Sequence, residues 1–129
     1  MGYLTRDEIL AARDLKTKDL EVPSWGGTIR VREPTVRERD RMGTEYNKAN
    51  RDQAKMMELR MEMCSRVIVD ERGESVFTAK DIEALGKKSP ENIDLVFQTS
   101  MELGGLDQKE KDEIAGNSQE AQGSASSTG

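Results

Sequence analysis

Residues 51–69, RDQAKMMELRMEMCSRVIV, hold the densest run of apolar side chains in a chain that has few of them, and any fold must be built around them. Met57, Met61, Cys64 and Ile68 recur at helical spacing, and Met56, Leu59, Met63 and Val67 form a second stripe beside them. The combined face is wide enough for a central helix. Its methionines have two readings: unbranched thioethers fill an irregular core, or they form an adaptable surface for a partner. Elsewhere apolar residues are sparse. They make up 34% of the 129 residues against 35% charged and 4% aromatic, so the chain holds one modest core and gains from partners or self-association.

The segments around this helix carry their own signals. Thr5 and Glu8 have capping-box spacing, with Leu4 and Ile9 placed to staple it, which predicts a helix over 6–14 with Ile9 and Leu10 on its inner face. Polar and apolar residues alternate over 18–22 and 28–32 around the turn cluster Pro23-Ser24-Trp25-Gly26-Gly27. This predicts a β-hairpin over about 18–32 with Leu20, Val22, Ile29 and Val31 inward, docked on the helices because an isolated hairpin is marginal. Trp25, the single tryptophan, either caps the core edge or anchors a partner.

Thr35 and Glu38 repeat the capping box and open a helix over 36–50 with apolar positions only at Val36, Met42, Tyr46 and Ala49, a surface helix that leads into the Met-rich one. Arg30, Arg32, Arg37, Arg39 and Arg41 alternate with Glu33, Glu38 and Asp40, the pattern of a solvated face with local ion pairs. Gly73 suits a turn within 70–74. Thr78 and Asp81 start a short helix over 79–85 that Gly86 closes in a left-handed cap, and Ser89-Pro90 starts another with a stripe of Ile93, Val96, Phe97, Ser100 and Met101, ended by Gly104-Gly105. A last, highly charged helix is expected over 107–114. The fold class is therefore α+β and predominantly helical, with a small N-terminal hairpin packed on a helical bundle: one domain over 1–115 and a disordered Gly/Ser-rich tail over 116–129.

The sequence is poor in chemistry. It has no histidine, and its single cysteine, Cys64, lies on the apolar stripe away from any base, as a buried thiol in a reducing cytoplasm would. No phosphate-cradling glycine loop or EF-hand spacing occurs, and the predicted chain has no catalytic, metal-binding or cofactor-binding residues and is not an enzyme. A net charge of −5 opposes both a nucleic-acid partner and an anionic membrane surface. No run approaches the roughly 18 apolar residues of a membrane span.

The order YLTRDEILAARDLKTKDLEVPSWGGTIRVRE, a helical middle, CSRVIVDERGESVFTAKDIEALGKKS, LGGL and a polar tail resembles the tail assembly chaperones of long-tailed, non-contractile phages and prophages. The most specific parts are VPSWGGTIRVRE and DERGESVFTAKDIEALGKKS. The resemblance implies a holdase of the host cytoplasm that coats the long helical tape measure protein while tail tube subunits polymerise, and that is absent from the mature virion. It also implies that a frameshifted longer form contacts the tail tube protein. On this reading Trp25, Met56, Met57, Met61 and Met63 are the expected partner contacts, and self-association into an oligomer is expected. Two other classes stand beside it: a minor tail or head–tail joining protein that stays in the virion, and a small regulator meeting DNA through residues 30–41.

Overall fold

Alternating residues from Thr17 to Arg32 pair as the predicted hairpin. In this computed structural model, which describes residues 2–105, strand β1 (Thr17–Val22) runs antiparallel to β2 (Gly27–Arg32), with Leu20 opposite Ile29 and Lys18 opposite Val31. Pro23-Ser24-Trp25 makes a single 3₁₀ turn, and Gly26 closes it at φ 81°, a conformation that favours glycine. Val22 and Val31 are buried, and Leu20 and Ile29 pack against the core from the same face. The opposite face carries the cross-strand pair Asp19–Arg30, Oδ1 to Nε 2.8 Å.

Helix α1 (Arg6–Ala11) precedes the hairpin; α2 (Val36–Ala49) and α3 (Gln53–Val67) come after it. At Thr35 the capping box forms as expected, with the Glu38 N–H donating to the Thr35 hydroxyl at 3.1 Å and the Thr35 N–H to Glu38 Oε1 at 2.9 Å. Asn50 and Arg51 both take positive φ, 51° and 67°, and turn the chain sharply before Asp52 caps α3. A left-handed arginine is costly by about 1–2 kcal/mol, and the packing of α2 against α3 holds it there.

The Met-rich helix ends earlier than its apolar stripe suggests. Ile68, which continues the stripe of Met57, Met61 and Cys64, leaves the helix and starts strand β3 (Ile68–Val69). It adds a third strand in the order β1-β2-β3, with Ile68 opposite Val31 and Val69 opposite Arg30. Three successive β-branched residues, Val67, Ile68 and Val69, favour that change of conformation.

Asp70 ties the next turn, its carboxylate accepting from the Arg72 and Glu74 N–H groups, with Gly73 at φ 84°. Thr78 and Asp81 form a third capping box, but the expected continuous helix splits into a 3₁₀ turn, Ala79–Asp81, and α4 (Ile82–Leu85). The expected left-handed cap at Gly86 is also corrected: its φ is −64°. What requires a glycine there is space, since a Cβ would meet the Glu83 carbonyl at 3.2 Å and Met61 Sδ at 3.4 Å.

Helix α5 (Pro90–Leu103) starts with Ser89 as N-cap and Pro90 first in the helix. It lies on α3 and the sheet, burying Ile93, Val96, Phe97 and Met101. Two long-range bonds fasten it along the hairpin: Asn92 Nδ2 donates to Ser24 Oγ at 2.8 Å, and the Ser100 hydroxyl donates to the Arg32 carbonyl at 2.7 Å.

One prediction about packing fails. Helix α1 keeps its capping box but stops at Ala11, and it buries none of its residues; Ile9 and Leu10 are 56% and 68% exposed instead of facing inward. The capping box acts within one turn and carries no information about docking. On the inner face of β1 and β2, α5 already occupies the place α1 would take. The expected helix over 107–114 and the tail over 116–129 lie outside the described residues.

Candidate functional site

Cys64 is fully buried, its thiol donating to the Ile93 carbonyl at 3.4 Å, and burial pushes its pKa up to about 12. Arg60 joins three helices: Nε donates to the Tyr46 hydroxyl at 3.1 Å, Nη1 to Asp94 at 3.2 Å, and the guanidinium lies 5.6 Å from the centre of the Phe97 ring. These groups satisfy one another and hold the core together.

One concave surface lies between α2 and α3. Met42 and Met63, each 4% exposed, form its floor with the half-buried Leu59, and Thr35, Arg37, Glu38, Arg41, Glu62 and Arg66 form its rim. This cavity has a volume of about 370 Å³. A second hollow of about 550 Å³ lies at the elbow of the two helices, lined by Ala49, Ala54 and Leu59 among Glu45, Lys48, Lys55 and Glu58. Leu59 lines both hollows, which follow one another along the α2–α3 pair.

Arginine pairing governs the charges on the rim. Glu62 accepts from Arg41 at 2.5 Å and from Arg66 at 3.3 Å; burial raises its pKa, but the two guanidinium groups outweigh burial and hold it below the usual glutamate value. Glu38 takes both Nη atoms of Arg32 at 2.8 and 2.9 Å, and again the arginine and the Thr35 N–H outweigh burial and lower the pKa. Arg37 makes no ion pair with the described residues. An apolar floor is thus flanked by carboxylates already neutralised and by the positive charge of Arg37.

The residues proposed from sequence as contacts divide among several places. Met63 is buried in the core beneath the α2–α3 cavity, which removes it as an exposed contact. Met61 packs toward Gly86, and Met56 and Met57 are half-buried against the core. Trp25 lies apart, in a hollow of about 390 Å³ formed with Ile29, Ile68, Val76 and Phe77. Leu59, on a predicted stripe, and Met42, one of the sparse apolar positions of the 36–50 helix, are not among those contacts; that they line one cavity depends on the α2–α3 crossing, which neither segment reveals alone.

The family model described as phage tail assembly chaperone matches residues 6–117. Among solved structures the chain is similar to the tail assembly chaperone of bacteriophage HK97, with a TM-score of 0.59 and 18% identity, covering 75% of this chain and 94% of that one. At that identity the likeness is one of fold. No curated protein matches the sequence significantly. Among the described residues no helix is long and apolar enough to cross a membrane. With the matched stretch spanning most of its length, the chain belongs to the phage tail assembly chaperone family.

Proposed function

We propose that this chain is a holdase for the tape measure protein, present in the host cytoplasm during tail assembly and absent from the finished virion. The observation that carries the reading is the cleft between α2 and α3, where the half-buried Leu59 is open to the apolar face of a docked helix above the buried Met42 and Met63. The half-buried Met56, Met57 and Met61 keep adaptable thioether surface that accepts varied apolar sequence, as a client with many different helical turns requires, whereas Met63 is buried. Trp25, Met56, Met57 and Met61 are secondary contacts in this proposal. Release occurs as tube subunits polymerise around the tape measure, with the tail tube protein as the second partner, reached through a frameshifted longer form.

Co-expression with the tape measure protein of the same genome, then pull-down and size-exclusion chromatography with light scattering, tests this. A soluble complex with many copies per tape measure is expected. Leu59→Glu places a charge on the groove floor and is expected to reduce capture by at least about tenfold, the equivalent of one lost apolar side-chain contact. A tape measure that stays insoluble beside a free chaperone overturns the proposal. Finding the chain in purified particles by mass spectrometry favours the structural virion-protein reading instead.

A further inference from the structure

Helix α5 ends beside the cavity between α2 and α3. The Ser100 hydroxyl ties its last turn to the Arg32 carbonyl at 2.7 Å, and Gly104 lies so close to Pro34 that a Cβ there would meet the proline ring at 3.4 Å. Pro34 is buried, and the residue after it, Thr35, is the N-cap of α2 and lines the cavity. Gly105, at φ 87°, then turns the chain off the helix axis. The residues after Gly105 therefore start next to the Thr35 end of the cavity.

Those residues are Leu106-Asp107-Gln108-Lys109-Glu110-Lys111-Asp112-Glu113-Ile114, four carboxylates against two lysines with an apolar side chain at each end. The cavity offers the complement. Arg37 on its rim makes no ion pair with the described residues, and Arg41 and Arg66 share the carboxylate of Glu62. Beyond these arginines the half-buried Leu59 is open. From Thr35 to Met42 the cavity follows α2 for roughly 10 Å, and the stretch 106–114 covers roughly 13 Å as a helix and more if extended. We propose that residues 106–114 fold back over this cavity in the client-free chain, with their carboxylates on Arg37, Arg41 and Arg66 and Ile114 on Leu59, and that a client displaces them.

Tethering favours this occupant over a separate molecule. The segment begins next to its site, so its effective concentration there is on the order of millimolar, and contacts too weak to hold a free peptide suffice. Leu59 gives it little apolar area to bury and its charge pairs are exposed to water, so the closed form is held weakly and a client with a longer apolar face replaces it. A segment that fills the cavity about nine-tenths of the time lowers the apparent affinity for a client about tenfold. The competition rests on the client reading of the cleft, whereas the docking does not.

Crosslinking of the full chain without a client tests the docking. A photo-crosslinking amino acid in place of Ala115, in a dilute mixture of isotopically light and heavy chains, is expected to give links within one chain to residues 41–42 or 59–63. The double variant Glu110→Lys/Glu113→Lys is expected to lower their yield about fivefold, the equivalent of two exposed ion pairs, and adding Arg37→Glu to raise it again, which a general disturbance of the fold would not do. Links between light and heavy chains, links elsewhere on the fold, a yield that the charge reversal leaves unchanged, or no recovery with Arg37→Glu overturns the proposal. The competition is read with the tape measure protein of the same genome, which the double variant is expected to bind up to about tenfold more tightly than the parent does. Equal or weaker binding overturns the competition. If neither form binds it, the client reading falls and the competition with it, while the crosslinks still decide the docking.

Discussion

Glu38 occupies the position where three levels of structure meet, so replacing it measures how strongly they are coupled. Its carboxylate completes the α2 capping box, closes a bidentate pair with Arg32 at the end of β2, and lies on the groove rim. The Arg32 and Glu38 side chains are only 11% and 13% exposed. Removing one partner of a buried pair costs about 3–5 kcal/mol, because the other charge is left without compensation. Arg32 keeps its bond to the Glu33 carbonyl at 2.8 Å and retains some water, so the lower end of that range applies. Glu38→Ala is expected to destabilise by about 3 kcal/mol, and Glu38→Gln, which still caps Thr35, by roughly half of that. With a urea slope near 2 kcal/mol/M, the alanine variant's midpoint falls by about 1.5 M, read by fluorescence of the single tryptophan, Trp25. The pH dependence provides a second check. Because the folded pKa lies below the ordinary 4.5, the contribution is complete above that value and disappears as pH falls through the folded one. The parent and Glu38→Gln therefore converge in acid. Two variants within about 0.5 kcal/mol of the parent, or a gap that stays unchanged through acid as long as the parent remains folded, would refute the reasoning.

Cys64, buried and with its pKa pushed up to about 12, is expected to resist a thiol reagent at pH 8 in the native protein and to react fully in urea; a native rate close to the unfolded one would show that the core opens. Arg60→Lys keeps the charge but loses the fork that reaches Tyr46 and Asp94, and is expected to cost about 1–2 kcal/mol by urea unfolding, with a silent result arguing that Tyr46 is held by apolar packing alone. Thr35→Ala is expected to cost about 1 kcal/mol and Thr5→Ala to leave the midpoint of the monomer unchanged, a contrast that fails if the two losses are equal.

The features legible in the sequence are local or periodic. Alternation around Pro23-Ser24-Trp25-Gly26-Gly27 locates the hairpin and its inward residues, and the stripe of Ile93, Val96, Phe97, Ser100 and Met101 locates the buried face of α5. Ile68 is misplaced by periodicity because it satisfies two periods at once: four residues after Cys64 on a helix, and the first of two residues in a strand whose partner, Val31, is 37 positions away. Gly86 suggests freedom in φ when its use is the approach of Met61. At Arg51 the positive φ, 67°, follows an Asn50 that is also left-handed, and arginine itself gives no local signal of it. The groove is half visible as well. The stripe of Met56, Leu59, Met63 and Val67 does not separate the buried Met63 from the half-buried Leu59, and only the helix crossing brings Met42 and Leu59 to one cavity.

The three capping boxes illustrate the general limit. Thr5 with Glu8, Thr35 with Glu38, and Thr78 with Asp81 have the same spacing, and all three form. In each the local hydrogen bonds are nearly equivalent, so the sequence cannot rank them. Their contributions to the fold differ with the residues that each helix goes on to bury. After Thr35 come Met42, Tyr46 and Ala49, which bury a face, and the Glu38 carboxylate reaches across to a second element. Thr78 opens one 3₁₀ turn whose continuation, α4, buries Leu85. After Thr5 come Ile9 and Leu10, which bury nothing in this chain. A start signal has global energetic effect only when its helix docks, so an intact box on an undocked apolar helix directs attention to a surface outside the monomer. Among the described residues, α1 is the place where local design and packing disagree.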